Sequence, residues 1–377
     1  MNVPQLRFKG FNEKWQHRKI SEVMTVKAGG DVDKAKLKVT GKYPVIANAL
    51  TNNGIIGYYD DYQIKAPAVT ITGRGTLGHA VARFVSFTPV VRLLVARSAT
   101  MNANFIANAI NRLHIYNEST GVPQLTAVQL KTYAINYPIL SEQQKIGTFF
   151  SKLDDLITKQ TQKLALLKQL KCGYLQKLFP QAGQTTPQLR FKGFNDEWQI
   201  LKANKIFTSI SDKNHNMLPV LSATQTKGMV YRDDVGINIK YNRKGLNNYK
   251  HVLPGNFVIH LRSFQSGFAY SDKEGIVSPA YTVMTFKNED NDELFWKVRF
   301  TSSNFIKRLV TITYGIRDGR SINYKDFETL KFSVPLYEEQ QKIGALFAKL
   351  DHLIELQNRK LELLEELKKG YLQKMFI

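Results

Sequence analysis

The sequence predicts an α+β chain: two α/β domains separated by two long antiparallel helices, organised as an internal pseudo-twofold repeat. Three observations carry that expectation. The chain repeats itself at the ends of two halves: Pro4 to Asn12 returns letter for letter at Pro187 to Asn195, Glu142 to Gly147 at Glu339 to Gly344, and Gly173 to Lys177 at Gly370 to Lys374. Each half closes on a long stretch with apolar residues at three-four spacing, the mark of an amphipathic helix. Between these shared ends the halves diverge, and the divergent parts carry short β-branched and aromatic runs that read as strands.

In chain order, residues 1–140 are expected to form the first domain, 141–179 the first long helix, 180–186 a linker, 187–337 the second domain and 338–377 the second long helix. In the first domain, residues 68–72 and 80–85 are strand candidates; in the second, 256–261 and 281–286. The middles keep a faint register: Pro44-Val45 matches Pro219-Val220, Ile71 to Arg74 matches Ile259 to Arg262, and Pro89 matches Pro279. They read as two versions of one fold with different surfaces, carried on a shared scaffold.

Pro138 and Pro335 precede the long helices. Ser141 fits an N-cap with Gln144 three residues on, as in a capping box. Nearly forty helical residues reach on the order of 57 Å. Gln160 and Gln357 hold equivalent places on the apolar seam, where a polar residue either fixes register or marks a solvated kink. A twofold relation makes the helices antiparallel. It also puts the N-terminal segment beside the end of the second helix, as the Pro187 segment lies beside the end of the first.

Lysine and arginine outnumber acids 53 to 31, a net charge of +22. Such a balance favours anionic partners, nucleic acid first and anionic membrane second, although it also serves solubility. No apolar run reaches membrane-spanning length. Cys172 is the single cysteine, so an intramolecular disulfide framework and a thiolate zinc site are excluded. With no secretory signal at the start, the chain is expected in the cytoplasm. A duplicated chain suits a twofold target, and duplex DNA is the commonest one.

Gly73-Arg74-Gly75-Thr76-Leu77-Gly78 matches a dinucleotide-binding pattern. The residues after it alternate like a strand, so no helix N-terminus waits for a pyrophosphate, and a glycine-rich β turn presenting Arg74 is expected instead. Arg262 holds the equivalent place in the second half, followed by Gln265. Arginine can bond guanine bidentately and glutamine can bond adenine, although a phosphate contact or plain solvent exposure suits either arginine as well. The other DNA-contacting candidates are Lys36, Asn52, Asn53 and His79 in the first half, and Lys227, Arg243, Lys244, Arg317 and Arg320 in the second. Basic and amide side chains mixed on loops suit phosphate positioning plus edge reading. A Walker loop, metal-ligand spacing, an adenine methyltransferase signature and a nuclease carboxylate cluster are not legible, so no catalytic residue and no metal site are expected.

Two variable middles, each preceded by Pro-Gln-Leu-Arg-Phe-Lys-Gly-Phe and followed by Glu-Gln-Gln-Lys-Ile-Gly with its long helix, resemble the specificity subunit of Type I restriction-modification systems. The resemblance spans essentially the whole chain. It implies two target recognition domains, each reading one half of a split asymmetric DNA sequence, with the helices setting the unread spacer. It implies two methyltransferase (modification) subunits, which carry S-adenosylmethionine, docked on apolar helix residues, Tyr174 and Tyr371 among them. It also implies restriction motor-nuclease subunits, and no cofactor in this chain. A coiled-coil scaffold with basic domains is the competing reading; it explains the helices and the charge, but not identical ends around different middles.

Overall fold

The computed structural model describes residues 3–115, 123–181, 184–224, 227–235, 243–314 and 321–377. The first half runs β1 (Gln16–Lys19), α1 (Ile20–Val23), β2 (Thr25–Ala28), β3 (Tyr43–Ile46), β4 (Ile55–Tyr59), β5 (Ala68–Thr72), β6 (Ala80–Arg83), β7 (Thr88–Pro89), β8 (Leu93–Arg97), α2 (Ala103–Asn111), α3 (Ala127–Thr132), β9 (Ala134–Tyr137) and α4 (Leu140–Lys177). The second runs β10 (Gln199–Lys202), α5 (Ala203–Ile206), β11 (Phe207–Ile210), β12 (Leu221–Thr224), β13 (Gly228–Tyr231), β14 (Lys250–Val252), β15 (Phe257–Ile259), α6 (Ser263–Ser266), β16 (Ala269–Tyr270), β17 (Gly275–Val277) and β18 (Thr282–Phe286). It continues through α7 (Glu293–Thr301), α8 (Ser303–Leu309), β19 (Thr313–Tyr314), β20 (Ser321–Ile322), α9 (Tyr324–Phe327), β21 (Lys331–Val334) and α10 (Tyr337–Met375).

The chain divides into two compact units, Met1–Gln162 with Asn358–Ile377, and Lys163–Gln357. Each long helix therefore contributes residues to both. The two units share a core topology, although the first adds a three-stranded β4-β3-β7 sheet where the second has the pairs β12-β13, β14-β17 and β19-β20. Each has a four-stranded antiparallel sheet, in the order β2-β8-β5-β6 in the first and β11-β18-β15-β16 in the second. In each, the strand after the repeated Trp pairs with the strand before the long helix, β1 with β9 and β10 with β21. The expected strands stand, with β6 ending at Arg83 and β15 confined to Phe257–Ile259.

One sequence match fails. Val45 pairs in parallel with Thr88, and Val220 with Ile276. The hydrogen-bonded register thus sets Pro89 against Val277, and the match to Pro279 is two residues out.

The cores explain the shared ends. In the first unit Trp15, Phe105, Phe150 and Phe376 are buried together, with Trp15 edge-on to Phe105 at 5.8 Å and to Phe376 at 6.2 Å. In the second, Trp198, Phe179, Phe295 and Phe347 repeat the arrangement, with Trp198 edge-on to Phe179 at 6.2 Å. Each such ring taken out of water stabilises the unit by about 1.5–3 kcal/mol. The opening segments lie where expected: Leu6 N–H donates to the Lys374 carbonyl and Leu189 N–H to the Lys177 carbonyl, both at 2.9 Å.

Within each unit the long-helix segments run antiparallel. Phe149 packs edge-on to Tyr371 at 5.0 Å and Asp154 pairs with Lys368 in the first unit; Lys171 pairs with Asp351 in the second. Gln357 is buried and Gln160 half-buried. Ser141 does not cap its helix. The Ile139 carbonyl accepts from Glu142 N–H and Gln143 N–H at 3.1 Å, so the helix starts as soon as Pro138 is passed and Ser141 lies inside its first turn. Tyr174 and Tyr371 pack on their units' own cores. Beyond their first residues, the large apolar positions left exposed on the long helices are instead Leu156, Leu166 and Leu170, matched by Leu353, Leu363 and Leu367, with Leu356 beside them.

Candidate nucleic-acid interface

The loop after β5 carries Arg74. Thr72 organises it: the Thr72 hydroxyl donates to the Thr76 carbonyl and accepts from His79 N–H at 2.9 Å, while Gly78 N–H donates to the Thr72 carbonyl at 2.8 Å. Gly75 and Gly78 take φ of +75° and +78°, a left-handed backbone that glycine adopts without strain. Asn48 then ties the loop from the side, accepting from Gly73 N–H at 2.6 Å and donating to the Arg74 carbonyl at 2.6 Å. The Arg74 backbone is fixed and its side chain is half-buried. The strand β6 follows the loop, which is the β turn the alternation predicts.

Asn52 and Asn53 occupy a neighbouring turn, both exposed and both left-handed, with φ of 48° and 52°. Asparagine is among the residues that tolerate this conformation. Arg83 ties this turn to strand β5. Its Nε donates to Thr70 Oγ1 and its Nη2 to the Asn53 carbonyl, each at 2.9 Å. Burial pushes the Arg83 guanidinium down to about 10, which leaves it charged at neutral pH. Asn53, His79 and Arg83 line one small cleft with Thr70 and Thr72. Partial burial, then the Arg83 and Lys368 cations, hold the His79 imidazole below its ordinary pKa. Lys36 does not line this cleft; its ammonium lies 3.6 Å from Asp33.

In the second unit Arg262 stands at the same place in the sheet, directly after β15, where the first unit has Arg74 after β5. The loop is built differently. Ser263 Oγ accepts from His260 N–H at 2.8 Å, and the short α6 follows with Arg262 at its N-cap. Gly267 turns the chain back at φ +80°, against the Phe300 carbonyl. Arg262 and Gln265 are both exposed. Lys227 is exposed on the β12–β13 turn, held by its N–H donating to Thr224 Oγ1 at 3.0 Å. Arg243 and Lys244 fall on a 3₁₀ segment, Arg243–Asn248. Arg317 and Arg320 lie outside the described residues.

The structure thus gathers Asn53 and His79 round one cleft, with Asn52 on the turn that Arg83 holds. It places Arg74 and Arg262 on equivalent loops of different build. Arg83 and Asn48, which hold these loops, are not among the sequence-predicted site residues. The available signal for Arg83 was its place on a strand, directly after Ala80-Val81-Ala82, where a long cation needs a buried acceptor such as Thr70.

The shared ends have a separate role, which the sequence did not show. Glu142 accepts from Arg7 Nε at 2.9 Å and Nη2 at 2.6 Å, and Glu339 accepts from Arg190 with the same distances. These carboxylates hold both guanidinium groups above their ordinary pKa. Gln143 donates to the Pro138 carbonyl and accepts from Asn102 N–H at the N-cap of α2. Gln340 does the same with Pro335 and Asp292 at the N-cap of α7. The Glu-Gln-Gln element is therefore an adaptor that fixes each domain to its helix.

Two domains with the same core sheets, each joined to a long helix by the same adaptor and each carrying a different loop set, define a duplicated module. The profile for the Type I restriction modification DNA specificity domain matches residues 12–169 and 195–366, and the chain belongs to that family. A chain from Mycoplasma pneumoniae described as a type I specificity subunit is 30% identical over 113 residues, covering 30% of this chain and 31% of that one. The type I restriction enzyme MjaVIII specificity subunit of Methanocaldococcus jannaschii is 24% identical over 275 residues, covering 67% and 63%. These alignments span less than two thirds of the relatives' own lengths. A Type I restriction-modification S subunit structure from M. genitalium shares the fold, with a TM-score of 0.68 at 15% identity over 100% of this chain and 99% of that one. Among the described residues no helix is long and apolar enough to cross a membrane.

Proposed function

We propose that this chain is the DNA-reading subunit of a Type I restriction-modification complex. Each recognition domain reads one half of a bipartite, asymmetric DNA target, and the long helices fix the unread spacer. The observation that carries this is the contrast between identical adaptors and different loops: Arg74 and Arg262 leave equivalent strands through loops of unlike backbone. A coiled-coil scaffold would not need that contrast.

The chain performs no chemistry itself in this reading. Two methyltransferase subunits bring S-adenosylmethionine, and motor-nuclease subunits join them in the cytoplasm. Exposed leucines at matched positions on the two helices (Leu156 with Leu353, Leu170 with Leu367) offer two equal docking surfaces for two equal partners. Leu156→Glu with Leu353→Glu is expected to abolish co-purification of the methyltransferase subunit while the chain stays folded by circular dichroism.

The deciding experiment is a single-base methylation map. The chain is expressed with its cognate methyltransferase subunit in a host lacking adenine methylation. A two-part asymmetric motif with a fixed gap, methylated once on each strand, is the expected result. Complex formation without any motif would overturn the reading. A helix insertion that leaves the gap unchanged while readout persists would overturn the spacer role alone.

A further inference from the structure

In the second unit, Asp212, His215 and His251 converge. Asp212 Oδ2 lies 2.8 Å from His215 Nε2 and 3.1 Å from His251 Nδ1, and the two imidazoles stack with centroids 4.1 Å apart. The other ring nitrogen of His251, Nε2, lies 2.9 Å from Glu274 Oε1. The backbone holds this arrangement: His251 N–H donates to the Asp212 carbonyl at 2.7 Å and Asn214 N–H to the Asn247 carbonyl at 3.1 Å. His251 sits on β14, paired with β17, and Glu274 directly precedes β17. The His251 side chain is only 13% exposed.

Proton bookkeeping makes the cluster informative. A neutral imidazole carries one N–H, yet His251 has a carboxylate oxygen at each nitrogen. If Nε2–H donates to Glu274, the Nδ1 lone pair is free to ligate, and His251 Nδ1, His215 Nε2 and Asp212 Oδ2 all lie within 4.8 Å of one another. Two imidazole nitrogens and one carboxylate oxygen are a donor set for a borderline divalent ion, zinc foremost. Glu274 then has the place of the outer carboxylate that fixes a ligating histidine's tautomer. Tetrahedral ligands at about 2.0–2.1 Å from zinc stand roughly 3.3 Å from one another, so the ion enters by opening the present 2.8 and 3.1 Å contacts and turning the exposed Asp212 carboxylate aside from the two ring nitrogens.

We propose that Asp212, His215 and His251 form a binding site for a zinc-class divalent ion, oriented by Glu274, which clamps the segment between β11 and β12 onto the β14–β17 pair. Solvent supplies the fourth ligand. The inference is independent of the DNA-reading role.

The test uses the full chain, stripped with chelator and titrated first with Co2+ and then with Zn2+. A four-coordinate visible absorption band that saturates at one ion per chain and is displaced by Zn2+ is expected. His215→Ala and His251→Ala should lose the band, Glu274→Gln should weaken binding about ten- to a hundredfold, and His352→Ala should bind as the unaltered chain does. Zn2+ should raise the melting temperature of the unaltered chain and leave that of His215→Ala unmoved. The absence of a displaceable band in the unaltered chain, or equal binding by both histidine variants, overturns the proposal. The cluster would then be a hydrogen-bonded network in which His251 bridges Asp212 and Glu274.

Discussion

Glu339 is a carboxylate almost wholly removed from water, at 1% exposure, and three donors compensate it: two from Arg190 and one from Trp198 Nε1 at 3.2 Å. Removing one partner of such a pair strands the other, which costs about 3–5 kcal/mol when both are deeply buried. Arg190 keeps a bond to the Asp196 carbonyl and some exposure, so Glu339→Gln should destabilise the second unit by about 3 kcal/mol, the lower end of that range, in urea denaturation followed through Trp296. His260 gives the same unit an acid weakness. Burial pushes its imidazole down from 6.5 to about 4. Above pH 6.5 neither the folded nor the unfolded chain protonates it, so its contribution is complete. As the pH falls from 6.5 towards 4 the unfolded chain binds the proton and the folded chain does not, and stability is lost progressively until both are protonated. The urea midpoint of the second unit should therefore fall across this window. A His260→Gln variant should fall less steeply over the same pH range.

At the scale of elements, the long helices are fixed to their domains through glycine. A Cβ on Gly344 would stand 2.5 Å from Asp292 Oδ1 and 2.8 Å from Phe295 N, inside the N-cap of α7. Gly147 meets Asn102 Oδ1 in the same way at the N-cap of α2. Gly344→Ala gains helix propensity of roughly 1 kcal/mol. It also displaces the Asp292 cap and forces a close contact, losses of about 1 and 1–3 kcal/mol. The net change should be destabilising, read as a lowered melting temperature. Gly370→Ala, where a Cβ meets nothing within 4 Å, should be neutral or stabilising. Sequence periodicity was enough to read the helices, because apolar spacing is local. The adaptor role of Glu-Gln-Gln was not legible, because Glu142 meets Arg7 across 135 residues and Gln143 meets Asn102 across 41. Ser141 was misread as a cap for a related reason. A capping box is a local pattern, and here Pro138 and the tie to α2 set the helix start.

For the whole molecule, the repeat revealed the architecture, since identical ends must fold alike. It could not reveal the reading surface, since that surface is where the halves differ. The equivalence of Arg74 and Arg262 was legible because the repeat brackets them. Arg83 gained its role through Thr70 and Asn53, partners that only the folded hairpin brings to it. A salt series tests whether either of the two equivalent arginines would meet a base edge or a phosphate. With a net charge of +22, binding should be dominated by counterion release. If six to ten phosphates are contacted, affinity should fall about 10³- to 10⁵-fold between 50 and 200 mM salt. Against that background the two roles separate. An arginine bonded to a base edge, once replaced by alanine, should cost about 1–3 kcal/mol and relax one target position, with the salt slope unchanged. An arginine on phosphate should instead weaken all sequences equally and reduce the slope by about one. Arg74 is half-buried and its backbone is locked by Asn48, an arrangement suited to aiming a side chain at one base; Arg262 is exposed on a short helical turn, suited to the mobile backbone. Titrations over a salt series should therefore give Arg74→Ala the base-edge signature and Arg262→Ala the phosphate signature. Identical slopes for the two variants would show that equivalent strand ends impose one role despite their different loops.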